Sequence, residues 1–170
     1  MKDLYDLFIQ ELKEALDCET QALREFPELI KAATSHQLKE ALQFHCEETK
    51  KQIQRLKEIS TLLNENLQGR ECDGIRGILK EGHKNIQMDY SSSVKDAAII
   101  AVIQRFKHYE MALYGVLIPF AKHLKLDQIG HLLRETIKEE GNFDKKLTEI
   151  AEGGAHLIGI NEKASKRKSA

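Results

Sequence analysis

Apolar residues recur along this chain at steps of three and four positions, which is the spacing of one face of an α-helix. The commonest residues, among them Leu, Glu, Lys, Ala, Gln and Ile, are helix formers or fit a helix well. Alternating β-branched runs, the usual signal of strands, do not occur. The pattern therefore predicts an all-α protein.

Four long helices and one short helix account for most of this pattern. We expect the long helices at about residues 3–33, 36–63, 94–123 and 127–152, and the short one at about 73–88. Within each pair of long helices the connection is only a few residues, and short connections join antiparallel neighbours. The two pairs are separated by about thirty residues. Two hairpins joined by one long crossover form a ferritin-like four-helix bundle.

The chain is expected to contain one domain and a tail. Residues 1–155 carry the helical pattern, whereas 156–170 are basic, small and polar and are expected to be disordered. No apolar run is long enough to span a membrane, and the first residues have no apolar signal-peptide core. A cytoplasmic protein without a membrane partner is therefore predicted.

Charge and cysteine content narrow the function further. Lys and Arg number 26 against 27 Asp and Glu, and this mixed charge argues against a nucleic-acid binder. The three cysteines form no C-x-x-C pair, so neither a disulfide framework nor a thiolate zinc site is expected. Cys18 and Cys46 are expected near one level on adjacent helices, as small packing residues. No nucleotide-binding glycine motif is present.

A glutamate interrupts the predicted buried stripe of each long helix. Glu19 and Glu48 lie 29 residues apart across the first turn, and Glu110 and Glu140 lie 30 apart across the second. Residues equidistant from a hairpin turn share one height on antiparallel helices, here roughly 20 Å from the turn. The sequence therefore predicts four carboxylates facing one another. The alternative is that these glutamates are solvated residues at the edge of the seam. Glu47 and Glu139, one position earlier, are expected at the surface, but a helix rotation of about 100° would exchange them with Glu48 and Glu140.

Four buried carboxylates need cations, because an unpaired buried charge is costly. Two divalent ions would balance them, and His45, one turn before Glu48, offers a neutral nitrogen ligand. Asp144, one turn after Glu140, is a candidate direct or supporting ligand, and Gln52 a supporting partner. These are the ingredients of a di-iron carboxylate bundle, with manganese or zinc as other metals that would fit.

Segments of all four long helices resemble the YciE/YciF group of bacterial ferritin-like proteins. They are L-D-C-E-T-Q-A-L, K-A-A-T-S-H-Q-L-K-E-A-L-Q-F-H-C-E-E-T-K-K-Q-I-Q-R-L, D-A-A-I-I-A-V-I-Q-R-F-K-H-Y-E-M-A-L-Y-G and L-L-R-E-T-I-K-E-E-G-N-F-D-K-K-L. The resemblance implies a five-helix ferritin-like fold, a homodimer and a dinuclear metal site. It also implies an association with stress responses and no established reaction.

The resemblance also implies which residues form the polar centre. They are Glu19, His45, Glu48, Glu110, Glu140 and Asp144. One departure matters, because the group usually has E-H-Y-E on the third long helix and this chain has K-H-Y-E. Lys107 shares a helix face with Glu110. Its ammonium either repels a metal, extends to solvent or pairs with a carboxylate and leaves the site metal-free.

The sequence thus predicts a stress-related di-iron carboxylate protein that binds two metal ions between its long helices. Oxygen or peroxide redox chemistry is open to such a site. The alternative is a non-enzymatic dimeric stress or interaction protein with a vestigial or metal-free site. Whether the protein is an enzyme, and on which substrate, stays open at this point.

Overall fold

The computed structural model describes residues 2–154 and 157–166 of the 170-residue chain. Its main helices are α1 (Leu4–Ala32), α2 (His36–Leu63), α3 (Asp73–Gln87), α4 (Ser92–His123) and α5 (Asp127–Glu152). Each limit lies within two residues of the predicted one. The all-α fold and its five main helices are therefore confirmed. Among the described residues, no helix combines the length and apolar character needed to cross a lipid bilayer.

The helices pack as the two predicted hairpins. α1 packs against α2 and α4 against α5, while α1 also contacts α4 and α2 contacts α5. α3 lies in the crossover and packs on α4 and α1. Apolar residues of all five helices form one core, and the inward stripe of each long helix meets the others along the bundle axis.

The turn of the first hairpin is fastened to the second hairpin by Asp96 of α4, which is 3% exposed. Its carboxylate accepts hydrogen bonds from the backbone N–H groups of Thr34 (2.6 Å) and Ser35 (2.9 Å). It also accepts one from the Thr34 hydroxyl at 2.7 Å. The Ser35 side chain caps α2 by accepting from the N–H of Leu38. The turn is therefore fixed by Asp96 of the second hairpin and by the Ser35 cap of its own helix.

The described part of the predicted tail contains structure. A two-residue strand β1 (Gly153–Gly154) pairs antiparallel with β2 (Leu157–Ile158), and a short helix α6 (Ile160–Ser165) follows. α6 packs on α4 and α5 because Ile160, which is buried, joins the core. The remaining tail residues, 156 and 167–170, lie outside the described part, and the domain boundary stays a prediction.

Replacing Asp96 by Ala is expected to lower the free energy of unfolding by about 2–3 kcal/mol, because two backbone N–H groups lose a charged acceptor. Urea denaturation of the two proteins measures the difference. Asp89→Ala is the matched control, since Asp89 is exposed, and a change within about 0.5 kcal/mol is expected there. Equal values for both variants would show that Asp96 does not hold the turn.

Candidate metal centre

Three carboxylates meet in the interior of the bundle. Glu19 on α1, Glu110 on α4 and Glu140 on α5 each have no exposed surface. One oxygen from each lies within 4.8 Å of the others. The structure therefore brings together three of the four glutamates that the sequence placed in the core.

Neighbouring side chains orient these carboxylates. Tyr114 donates a hydrogen bond to Glu19 Oε1 at 2.7 Å, and Gln52 donates to Glu140 Oε1 at 2.7 Å. The Cys18 thiol lies 3.8 Å from Glu110 Oε1. The second oxygen of Glu19, Oε2, has no hydrogen-bond partner within the described part of the chain. A buried carboxylate oxygen without a partner is costly, so this atom marks room for a cation or a proton.

Lys107 lies inside the carboxylate cluster. Its side chain is fully buried, and its Nζ atom is 2.8 Å from Glu140 Oε2 and pairs with Glu110 Oε2. A third contact, of 2.7 Å, joins Nζ to Nε2 of His45. The ammonium thus forms ion pairs with two carboxylates and a hydrogen bond with one imidazole. Of the alternatives for Lys107, pairing with carboxylates is the one observed.

His45 is held between Lys107 and Glu48. Because Lys107 donates to Nε2, the ring proton belongs on Nδ1, which lies 3.1 Å from Glu48 Oε2. Burial and the positive charge of Lys107 lower the pKa of His45 well below its usual value. The imidazole is therefore neutral, and it stacks on Phe143 at 3.9 Å. Nε2 of His45, which the sequence analysis considered as a metal ligand, therefore accepts a hydrogen bond from the ammonium of Lys107.

The other two predicted ligands lie at the edge of the centre. The Glu48 and Asp144 side chains are each 18% exposed, and α2 turns Thr49 and Gln52 inward instead. Asp144 contacts Gln104 and His108, on the outer side of α4. Ligand roles for Glu48 and Asp144 stay predictions. At this height of α2 the core-facing residue is Thr49 rather than the predicted Glu48, while His45 and Gln52 face inward as predicted.

Glu139 does not replace Glu140 in the core. Both of its oxygens accept hydrogen bonds from the guanidinium of Arg55, at 2.6 Å each. This bidentate pair fixes Glu139 at the α2–α5 boundary. The inward acid of α5 is therefore Glu140, as its place in the apolar stripe predicted.

Charge in the centre is unbalanced when all three carboxylates are ionised, because one ammonium faces three negative groups. Burial and the charge of Glu140 raise the pKa of Glu19 to about 8 and that of Glu110 well above its usual range. Burial opposes the charge on Lys107, but Glu110, Glu140 and Glu19 outweigh it and raise its pKa. Without a metal, the centre therefore keeps protons on carboxylates at neutral pH.

The donor set suits one divalent ion. Three convergent carboxylates are hard oxygen donors of the kind that Fe(II) and Mn(II) accept. Within the described part of the chain each has one oxygen without a hydrogen bond, and only those of Glu110 and Glu140 are ion-paired with Lys107. A second ion beside His45 does not fit while the Lys107 ammonium lies 2.7 Å from Nε2. The K-H-Y-E spacing had left pairing of Lys107 with a carboxylate open as one of three alternatives. The contact of Lys107 with His45 was not predicted, because the sequence alone does not place these two residues of different helices together.

With a chelator present, the free energy of unfolding is expected to fall as the pH rises from about 5 to about 9. Glu19 and Glu48 have native pKa values of about 8 and about 7, above the ordinary 4.5. In this window the native state keeps protons that the unfolded chain has released, so rising pH favours unfolding. Urea denaturation at constant ionic strength measures the slope. Glu19→Gln, which cannot ionise, should flatten it, and a stability that rises with pH would contradict the assignment.

Known proteins share both the sequence and the shape of this chain. Residues 3–159 match the family described as "Domain of unknown function (DUF892)". Protein YciF of Escherichia coli K12 is 33% identical over 168 residues, which cover 98% of each chain. The sequence similarity therefore extends from α1 to the end of the bundle.

Two solved structures superpose closely. The crystal structure of the E. coli stress protein YciF has a TM-score of 0.88 at 33% identity, covering 98% of this chain and all of that one. YcfI from Rhodopseudomonas palustris has a TM-score of 0.86 at 35% identity, covering 88% of this chain and 96% of that one. The predicted resemblance is confirmed, and the chain belongs to the DUF892 family as a homologue of YciF.

Proposed function

We propose that this protein is a stress-related ferritin-like protein that binds one divalent metal ion on Glu19, Glu110 and Glu140. The observation that carries the proposal is that Glu19 Oε2 has no hydrogen-bond partner among the residues the structure describes and lies beside two other buried carboxylates. The sequence predicted two ions. The ammonium of Lys107 leads us to propose one, because it takes the place of the ion on the His45 side.

Charge balance favours one bound metal ion over two. Three carboxylates and one ammonium carry two surplus negative charges, which a single divalent ion neutralises. A second divalent ion would leave the same buried centre positive, and uncompensated buried charge is strongly destabilising. The ammonium of Lys107 thus supplies positive charge at the place where a second metal ion would otherwise bind.

Iron is the metal we propose first, and manganese or zinc would also fit the carboxylate donors. When bound, iron would supply one-electron redox chemistry toward oxygen or peroxide. The protein side chains hold and shield the centre. Tyr114 and Gln52 fix the orientation of Glu19 and Glu140, and the ring of Phe143 covers His45 from outside.

The stress association and the assembly come from similarity. The E. coli relative is described as a stress protein, and we propose a stress-related role for this chain as well. We also propose that it acts as a homodimer, as the resemblance to its family implies, and that it is a cytoplasmic protein, as its unpaired cysteine pattern favours. These parts of the proposal do not depend on the metal.

A second function is favoured by the same Lys107 contacts. The ammonium pairs with Glu110 and Glu140, and protons on two of the three carboxylates would complete the charge balance, since burial raises the pKa values of Glu19 and Glu110. The centre would then be a metal-free polar core of a non-enzymatic protein that works through dimerisation or partners. Metal content separates the two functions.

Anaerobic titration with ferrous iron, followed by removal of free metal, is expected to leave about one ion per chain. Glu19→Gln and Glu110→Gln should each weaken binding at least about tenfold, because each removes a charged ligand. Glu48→Gln and Asp144→Asn are the matched controls and should keep the ion. Loss of metal in these controls would favour the two-ion site, and no binding of iron, manganese or zinc would favour the metal-free function.

Lys107→Glu is expected to raise the iron content toward two ions per chain, because it removes the competing ammonium and adds a carboxylate. Lys107→Met is the control, since it removes the charge without adding a ligand and should keep one ion. Both proteins are compared by metal analysis after the same titration. A folded Lys107→Glu protein that binds no more iron than wild type would show that position 107 does not compete with a metal.

A further inference from the structure

A groove of about 460 Å³ runs between α1, α2 and the connection that joins α2 to α3. Four basic residues line it, namely Lys13 and Arg24 of α1, Lys57 of α2 and Arg70 of the connection. The whole chain carries a net charge of only −1, so this positive charge is concentrated locally. A recess lined by one sign of charge raises the local concentration of ions of the other sign. The groove therefore favours an anionic ligand.

Few acids of the protein offset these cations. The one carboxylate among the described residues that line the groove belongs to Asp17. Arg70 has a partner, since its Nε atom lies 3.1 Å from Glu14 Oε2. Within residues 2–154 and 157–166, the basic residues that α1 and α2 contribute to the groove form no ion pair. Three positive charges of the groove are thus left without an acidic partner in this part of the chain.

The connection that forms one wall of the groove is fixed in place. Leu67 is 2% exposed and joins the core. Gly69 has a φ of +92°, in the left-handed region that favours glycine. Further along, the N–H of Cys72 donates to Asp17 Oδ2 at 2.7 Å, and its carbonyl oxygen accepts from Gln21 Nε2 at 3.2 Å. The wall is therefore formed before a ligand binds, which lowers the cost of binding.

Apolar side chains form a strip along the same groove, which we call the apolar strip. Its members are Leu16 and Leu23 of α1, Ile53 of α2 and Leu67 of the connection. Leu16 and Leu23 lie two helical turns apart, so the strip is about 10 Å long. None of the described lining residues is aromatic, whereas sites for single-stranded nucleic acid stack bases on aromatic rings. An apolar strip bounded by cations suits a hydrocarbon chain that carries an anionic head.

We propose that this groove binds a single-chain amphiphile whose head is a phosphate monoester. The alkyl chain covers the apolar strip, and the head pairs with the cations that have no acidic partner. A phosphate monoester carries a charge of about −1.5 to −2 near neutral pH, which matches several cations better than a single carboxylate does. Lys and Arg are common phosphate-binding residues. No residue of the buried carboxylate cluster lines the groove, so the proposal is independent of the metal centre.

Calorimetric titration of the full-length protein with decyl phosphate tests the binding. A chelator is present, so that phosphate cannot bind through a metal ion. Below the micelle concentration of the probe, wild type is expected to bind one molecule per chain with a Kd of about 100 µM or tighter. Inorganic phosphate and decanol, which carry the head and the chain separately, are each expected to bind at least about tenfold more weakly.

Variants separate this site from general attraction between charges. Lys13→Gln combined with Lys57→Gln should weaken the binding of decyl phosphate about tenfold or more, because two cations that face the head are lost. The matched control is Lys51→Gln combined with Lys145→Gln, which makes the same change in net charge at two exposed lysines outside the groove. Its affinity should stay within about twofold of wild type, because exposed distant charges are screened. Leu16→Gln should weaken decyl phosphate but leave the binding of inorganic phosphate unchanged.

Acetylation of lysines in wild type locates the ligand without a variant. With decyl phosphate bound, Lys13 and Lys57 should react more slowly, whereas Lys51 and Lys145 should keep their rates. The proposal is overturned if wild type does not bind decyl phosphate, if both double variants lose affinity equally, or if inorganic phosphate binds as tightly as the probe. Binding only to vesicles that contain phosphatidylglycerol would also overturn it, and would indicate a membrane contact instead.

Discussion

The ammonium of Lys107 joins three helices at the centre of the bundle. It reaches carboxylates of α4 and α5 and the imidazole of α2, and all four groups are fully buried. The neutral state of His45, the orientation of Glu140 and the charge left over for a metal all follow from where this cation lies. A buried ion pair of this kind gives little net stability, but its geometry selects one arrangement of the helices around it.

The two hairpins resemble each other in sequence and differ at this point. Three residues before Glu110 stands Lys107, whereas three before Glu19 stands Leu16. Three before Glu48 stands His45, whereas three before Glu140 stands Ile137. The lysine of the second hairpin and the histidine of the first therefore have no counterparts at the matching positions of the opposite hairpin. Their contact makes the two sides of the carboxylate cluster unequal, so two equivalent metal positions are not expected.

Helical periodicity predicted most of the fold and three of the buried carboxylates. It failed where the outcome depended on neighbours that no local pattern identifies. Glu48 and Thr49 are adjacent, and only the packing of α2 on α5 decides which turns inward. Lys107 has a long stem that reaches either solvent or the interior, and its contacts with Glu140 of α5 and His45 of α2 settle its direction. Cys72 lies in an irregular connection, so its hydrogen bonds to Asp17 and Gln21 of α1 are known only from the structure.

Because of the Asp96 contact, hydrogen exchange at the first turn depends on the packing of the two hairpins. Amide hydrogens in short helical connections usually exchange with water through local fraying. Those of Thr34 and Ser35 are bonded to a residue 62 and 61 positions away, on the other hairpin. Their exchange therefore requires the two hairpins to separate at this end. The exchange rates of these two amide hydrogens should therefore follow the opening of the bundle, although both residues lie in a short connection.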